Sequence, residues 1–306
     1  MGKFMDKLIN GDPNKPDLTA VPETRPQLFW LSLKTNIWKM VGLNGLYSVF
    51  LIPLLLFSLY YFMFLMAAGG MGDGLVFADP FTNSLLKNNM QAYTMMDLLP
   101  TYFLIATVLL VISGPARAGM YYVVRNWSWG EHSFFTSDFK DAMKKNWKQG
   151  VFFEFLTGFV LLCLSTSYIY YTRLSSVQPA WQLAKYFVLA IAVIYFLMTM
   201  YMYPLLVTYK LKIWQILKNA FLMAILNLPM TILFSLIPVA VVAISFLLGN
   251  PMYGLAVMVI IGFSFTALAQ FSYCNKVFDK YLNPQIEGAQ VRRGLKPLKN
   301  TKKAGA

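Results

Sequence analysis

The chain has 306 residues, of which 58% are hydrophobic and 13% charged, with a formal net charge of +13 and a mean hydropathy of +0.53. A water-soluble domain of this size needs a more polar surface than that composition supplies. The basic excess is split among segments that flank apolar runs, instead of covering one face with base-stacking aromatics, which argues against a nucleic-acid partner.

Residues 1–26 contain Gly11-Asp12-Pro13, Pro16, Pro22 and Pro26, and read as a flexible cytoplasmic arm. A membrane domain over 27–274 then opens amphipathically, with Phe29, Trp30, Leu33, Ile37 and Val41 interleaved by Lys34 and Lys39. Charge is absent from 40–72, 98–116, 155–172, 186–209 and 219–275. A bilayer core about 30 Å thick takes about 20 apolar residues in a helix. The runs therefore predict spans at about 47–68, 98–122, 151–171 and 184–209. The final run must fold back, and Gly249-Asn250-Pro251 supplies the turn, giving spans at 231–248 and 253–273. Residues 69–97 form an outer loop, 213–226 an interfacial helix broken at Asn227-Leu228-Pro229, and 275–306 a basic cytoplasmic tail. The fold class is all-α: a six-span transmembrane bundle with amphipathic helices on the cytoplasmic side.

Of the 26 basic residues, 23 fall before the first span, in 114–150, in 210–218 or after the last span, leaving Lys87, Arg173 and Lys185 on the other side. The positive-inside rule then places both termini in the cytoplasm of a cell-membrane protein. A stretch with Lys and Asn precedes each odd-numbered span, at Leu33–Lys39, Met143–Lys148 and Leu217–Asn219. Three two-span units and a shared need for headgroup-level lysines explain this equally well.

The densest mixture of charge and aromatics is GPARAGMYYVVRNWSWGEHSFFTSDFKDAMKKNWKQG, Gly114 to Gly150. Gly114 with Ala118, and Ala116 with Gly119, repeat at helical spacing and suit close helix packing. Phe139, Met143, Trp147 and Val151 share one helical face, and Lys140, Lys144 and Lys148 another. That arrangement fits contact with an anionic inner leaflet through Lys140, Lys144, Trp147 and Lys148. Arg117 and Glu154 are ionisable groups inside spans and form a candidate intramembrane pair, lining a path or closing a structural contact.

His132 is the single histidine, so no histidine cluster for a metal exists. Cys163 and Cys274 read as packing residues, and the many tyrosines near span ends as an interfacial belt. Walker loops, nucleophile elbows and Cys-x-x-Cys pairs are absent, so neither catalysis nor a cofactor is expected.

The stretch from Gly114 to Gly150 resembles the YesL-like family of bacterial integral membrane proteins. Gly114, Ala116, Tyr121, Tyr122, Val123, Arg125, Glu131, Phe139, Lys145, Asn146 and Gln149 carry the likeness, with a looser match at Trp214–Pro229. The resemblance implies no established activity. It implies an accessory membrane protein beside a carbohydrate importer, with a membrane subunit of that importer as partner. A small-solute transporter or channel is the alternative, and would need a polar cavity reaching Arg117 or Glu154.

Overall fold

The computed structural model describes residues 21–69 and 98–297. In chain order these form α1 (Arg25–Gly69), α2 (Leu99–Ser128), α3 (Phe135–Lys145), α4 (Trp147–Val177), α5 (Trp181–Thr208) and α6 (Ile213–Leu226). There follow α7 (Leu228–Ser235), α8 (Ile237–Leu247), α9 (Pro251–Val257), a π-helical turn (Met258–Gly262) and α10 (Phe263–Tyr281). The fold is an all-α bundle. Five segments are long and apolar enough to cross a membrane: Arg25–Phe64, Leu99–Ser128, Trp147–Val177, Trp181–Thr208 and Met252–Gln285. A sixth exists if α6 and α7, bent by 104° at Asn227, count as one crossing. These are the helices of a multipass membrane protein.

Several elements differ from the sequence reading in their limits. The amphipathic stretch at 27–44 and the first span are one continuous helix, α1, about 67 Å long at 1.5 Å per residue. The segment expected as a span over 231–248 is interrupted at Leu236, between α7 and α8. Pro238 has no N–H and its ring crowds the carbonyl four residues back, that of Phe234. Gln270 Nε2 of α10 donates to that freed carbonyl at 3.3 Å. Pro204 within α5 likewise frees the Met200 carbonyl, which Cys274 Sγ approaches at 3.9 Å. A backbone group without water must find such a partner inside the protein. The outer loop at 70–97, the first 20 residues of the arm and the last 9 of the tail lie outside the described residues.

Helix α2 is the centre of the bundle and packs against α1, α3, α4, α5 and α10. Its contact with α4 is the broadest in the molecule, and it is antiparallel: Gly114 meets Gly150, and Thr107 meets Gly158. Burial is concentrated at the basic end. On α4 the buried residues are Gly150, Phe153, Glu154 and Gly158, all in its first half. On α5 they are Val188, Leu197 and the run from Met200 to Val207. The remaining halves of the α4–α5 hairpin leave Phe159, Tyr170, Leu183, Phe187 and Val193 exposed. Water would penalise such a surface, whereas lipid covers it without cost.

Candidate functional site

At the α2–α4 crossing glycines remove every side chain from the contact. A Cβ built on Gly150 would stand 2.6 Å from the Gly114 carbonyl oxygen, a separation that real Cβ atoms do not tolerate. Ala116 and Ala118 are fully buried, and Gly119 faces α3, where a Cβ would stand 2.7 Å from the Phe139 carbonyl oxygen. The four small residues of 114–119 thus serve two different neighbours, α4 through Gly114 and α3 through Gly119.

This close approach sets the distance between Arg117 and Glu154. Arg117 Nη1 donates to Glu154 Oε1 at 2.9 Å. Glu154 keeps 1% of its side chain exposed and Arg117 28%. A carboxylate so deeply buried requires both a counter-charge and further hydrogen bonds. The hydroxyl of Tyr203 on α5 supplies one, donating to the same Oε1 at 2.8 Å. The guanidinium also lies over the Tyr203 ring, 4.8 Å from its centroid. Tyr121 stacks on Tyr203 at 5.4 Å and donates from its hydroxyl to Gln270 Oε1 at 3.0 Å. One polar chain therefore ties α2, α4, α5 and α10, and through Gln270 it reaches the carbonyl that Pro238 frees.

Tyr201 and Tyr203 correct the reading of the tyrosines as an interfacial belt, because both are buried in the core. The α5 segment is apolar on all sides, so period alone could not assign the tyrosines to a face. Asn44 on α1 was missed outright. Its Nδ2 donates to the Met258 carbonyl at 2.9 Å and to that of Val259, while its Oδ1 accepts from Ser264 N at 2.8 Å. A fully buried amide thus clamps the π-helical turn, whose altered hydrogen-bond register leaves carbonyls to be satisfied from outside. An asparagine inside an otherwise uncharged apolar run was the available signal.

The amphipathic element divides at Asn146. Phe139 and Ala142 of α3 are buried, and the Phe135 ring packs on Gly42 of α1, so the apolar face of α3 inserts into the bundle. Lys140 and Lys144 project outward. Trp147 and Lys148 open α4, both exposed, with Lys148 Nζ 5.6 Å from the Trp147 ring centroid. His132 sits in the α2–α3 turn against the Phe134 ring, 5.0 Å between centroids. Among the described residues no three His, Cys, Asp or Glu side chains converge on a metal position.

The basic end is closed by ion pairs from residues 23–25 and 293–296. Arg25 Nη2 pairs with Asp279 Oδ2 at 2.7 Å, Arg293 Nε with Glu131 Oε1 at 2.7 Å, and Lys296 Nζ with Glu23 Oε1 at 3.3 Å. The Arg293 guanidinium also covers the Trp129 ring at 4.0 Å. Two clefts flank these contacts. One, about 520 Å³, lies among Trp129, Tyr209, Asn275, Asn283 and the 286–290 turn. The other, about 660 Å³, lies between the start of α1, α7, α10 and the tail. A third, about 590 Å³, sits at the far turn between α4 and α5. Neither Arg117 nor Glu154 lines any of the three.

Residues 93–168, roughly a quarter of the chain, match the model of a family described as "Protein of unknown function, DUF624". The described part of that match is α2, α3 and most of α4, the elements that make the glycine crossing and carry Arg117 and Glu154. No curated protein matches the chain, and no solved structure does.

Proposed function

We propose that the protein is a non-enzymatic accessory of the cell membrane that docks against another membrane component through its α4–α5 hairpin. The observation that carries this is the burial of the Glu154 carboxylate. It keeps 1% of its side chain exposed and is held by Arg117 and Tyr203, as a structural tie is. The hairpin adds a second support. Its distal half contributes little to the core and presents aromatic and aliphatic side chains on an antiparallel pair held together at the far turn, where Tyr171 stacks on Trp181 at 5.8 Å.

In this reading the lysine-rich end faces the cytoplasm, with both termini there, and Lys140, Lys144, Trp147 and Lys148 lie at an anionic inner leaflet. The partner is a membrane subunit of a carbohydrate importer, following the resemblance to YesL-like proteins, which the DUF624 match supports. A photocrosslinking amino acid at Leu183 or Phe187 tests this in native membranes. An adduct with an importer subunit is expected. Adducts with lipid alone, together with sugar uptake by liposomes containing only this protein, would replace the accessory with a transporter.

A further inference from the structure

The cleft of about 660 Å³ has two chemically distinct halves. Its floor is apolar: Phe29 of α1, Met230 and Phe234 of α7, and Tyr273 of α10, with the Phe234 and Tyr273 rings stacked at 4.8 Å. Met230 is half exposed and continues into the exposed Leu226 and Leu233, so the floor joins the apolar outer surface. The rim is basic, formed by Arg25, Lys276 and Arg292.

Glu23 and Asp279 also line the cleft, and both acids are already engaged. Asp279 accepts from Arg25 Nη2 at 2.7 Å, from Asn283 Nδ2 at 2.9 Å and from the Arg292 backbone N–H at 3.0 Å. Glu23 pairs with Lys296. Lys276 is exposed and has no ion pair among the described residues. Three polar atoms of the lining residues, Arg25 Nε, Arg292 Nε and Ser272 Oγ, are buried without a hydrogen-bond partner, and such atoms call for an explanation. Arg292 is also the one non-glycine residue among those described with a left-handed backbone, φ 61°. Backbone strain is borne there. It brings the Arg292 N–H onto Asp279 and its side chain to the cleft.

The level of the cleft agrees with its chemistry. Counting from Met252, about 20 residues of helix cross a core of about 30 Å, which ends near Tyr273. The apolar floor then lies at the edge of the hydrocarbon and Arg25, Lys276 and Arg292 at the headgroups.

We infer that this cleft holds an anionic phospholipid from the surrounding leaflet, its phosphate against the basic rim and its proximal acyl carbons on Phe29, Phe234 and Tyr273. Excess positive charge beside paired acids selects the anionic headgroup. The inference rests on the protein being in a membrane, and not on the importer partnership. The test is native mass spectrometry of the detergent-purified protein with phosphatidylglycerol, phosphatidylcholine or inorganic phosphate added. The wild type is expected to retain phosphatidylglycerol at least fivefold over phosphatidylcholine, and phosphate alone to leave no adduct. Lys276→Glu with Arg292→Gln is expected to abolish that preference, while Lys218→Glu on α6, an exposed lysine away from the cleft, preserves it. A thermal shift of the wild type with each lipid gives the same answer without any variant. Equal retention of both lipids, or an unchanged preference in the double variant, overturns the site. Retention of phosphate alone assigns it to a free anion instead.

Discussion

Gly114 and Gly150 bring the backbones of α2 and α4 into direct contact, and beside that approach Arg117 of α2 meets Glu154 of α4. Alanine at Gly150 would push its Cβ into the Gly114 carbonyl and Pro115 N, both backbone atoms with no freedom to rotate away. Overpacking of this kind costs about 1–3 kcal/mol. Gly45 on α1 is the contrast, because nothing lies within 4 Å of a Cβ built there. Alanine at Gly45 is expected to stabilise the helix by up to about 1 kcal/mol. Unfolding of the two variants in the same detergent should shift in opposite directions, and a shared direction would remove the glycine contact as the organising feature.

The Arg117–Glu154 pair predicts an asymmetry between its members. Arg117→Gln leaves Glu154 charged, nearly inaccessible and dependent on Tyr203 alone, at a cost of about 3–5 kcal/mol. Glu154→Gln leaves a guanidinium that is 28% exposed and can still be solvated, so a smaller loss of about 1–3 kcal/mol is expected. The double variant should recover stability relative to Arg117→Gln, since no isolated charge remains. Denaturation of the three proteins in mixed micelles measures the order directly.

What was legible in the sequence was whatever depended on composition over about 20 residues. Uncharged runs gave the crossing helices, small-residue spacing gave the tight contact at Gly114 and Gly119, and sparse intramembrane charge singled out Arg117 and Glu154. What stayed hidden depended on direction. An apolar helix such as α5 has no polar face to betray which tyrosines turn inward, so Tyr203 could not be matched to Glu154 before the helices were placed. Proline breaks were visible, but the side chains that satisfy the freed carbonyls, Gln270 and Cys274, lie 36 and 74 residues from their acceptors. Such pairings leave no local pattern.

Asn44 shows the same limit and gives a third prediction. It makes three short hydrogen bonds around the π-helical turn and is fully buried. Asn44→Ala removes them and strands carbonyls and an amide in an apolar site, for a loss of about 2–4 kcal/mol. Ser48 points at the same turn but reaches the Val259 carbonyl only at 3.5 Å, so Ser48→Ala should cost under about 1 kcal/mol. Thermal unfolding followed by tryptophan fluorescence separates the two, and equal losses would deny Asn44 its part as the clamp.

The orientation of the bundle yields a fourth. Lys144 is exposed at the basic end and Gln178 is exposed at the α4–α5 turn, one α4 length away, about 46 Å at 1.5 Å per residue. Cys274 is buried, and Cys163 is exposed on the apolar flank of α4, so a Cys163→Ser background silences the one accessible thiol. In intact cells a membrane-impermeant maleimide should label Gln178→Cys, and label Lys144→Cys only after permeabilisation. Native Cys163 should resist the impermeant reagent, because a polar molecule does not enter the hydrocarbon that surrounds the apolar flank of α4. The reverse pattern for Lys144 and Gln178 would place the lysine-rich end outside the cell, where an anionic inner leaflet could no longer be its neighbour.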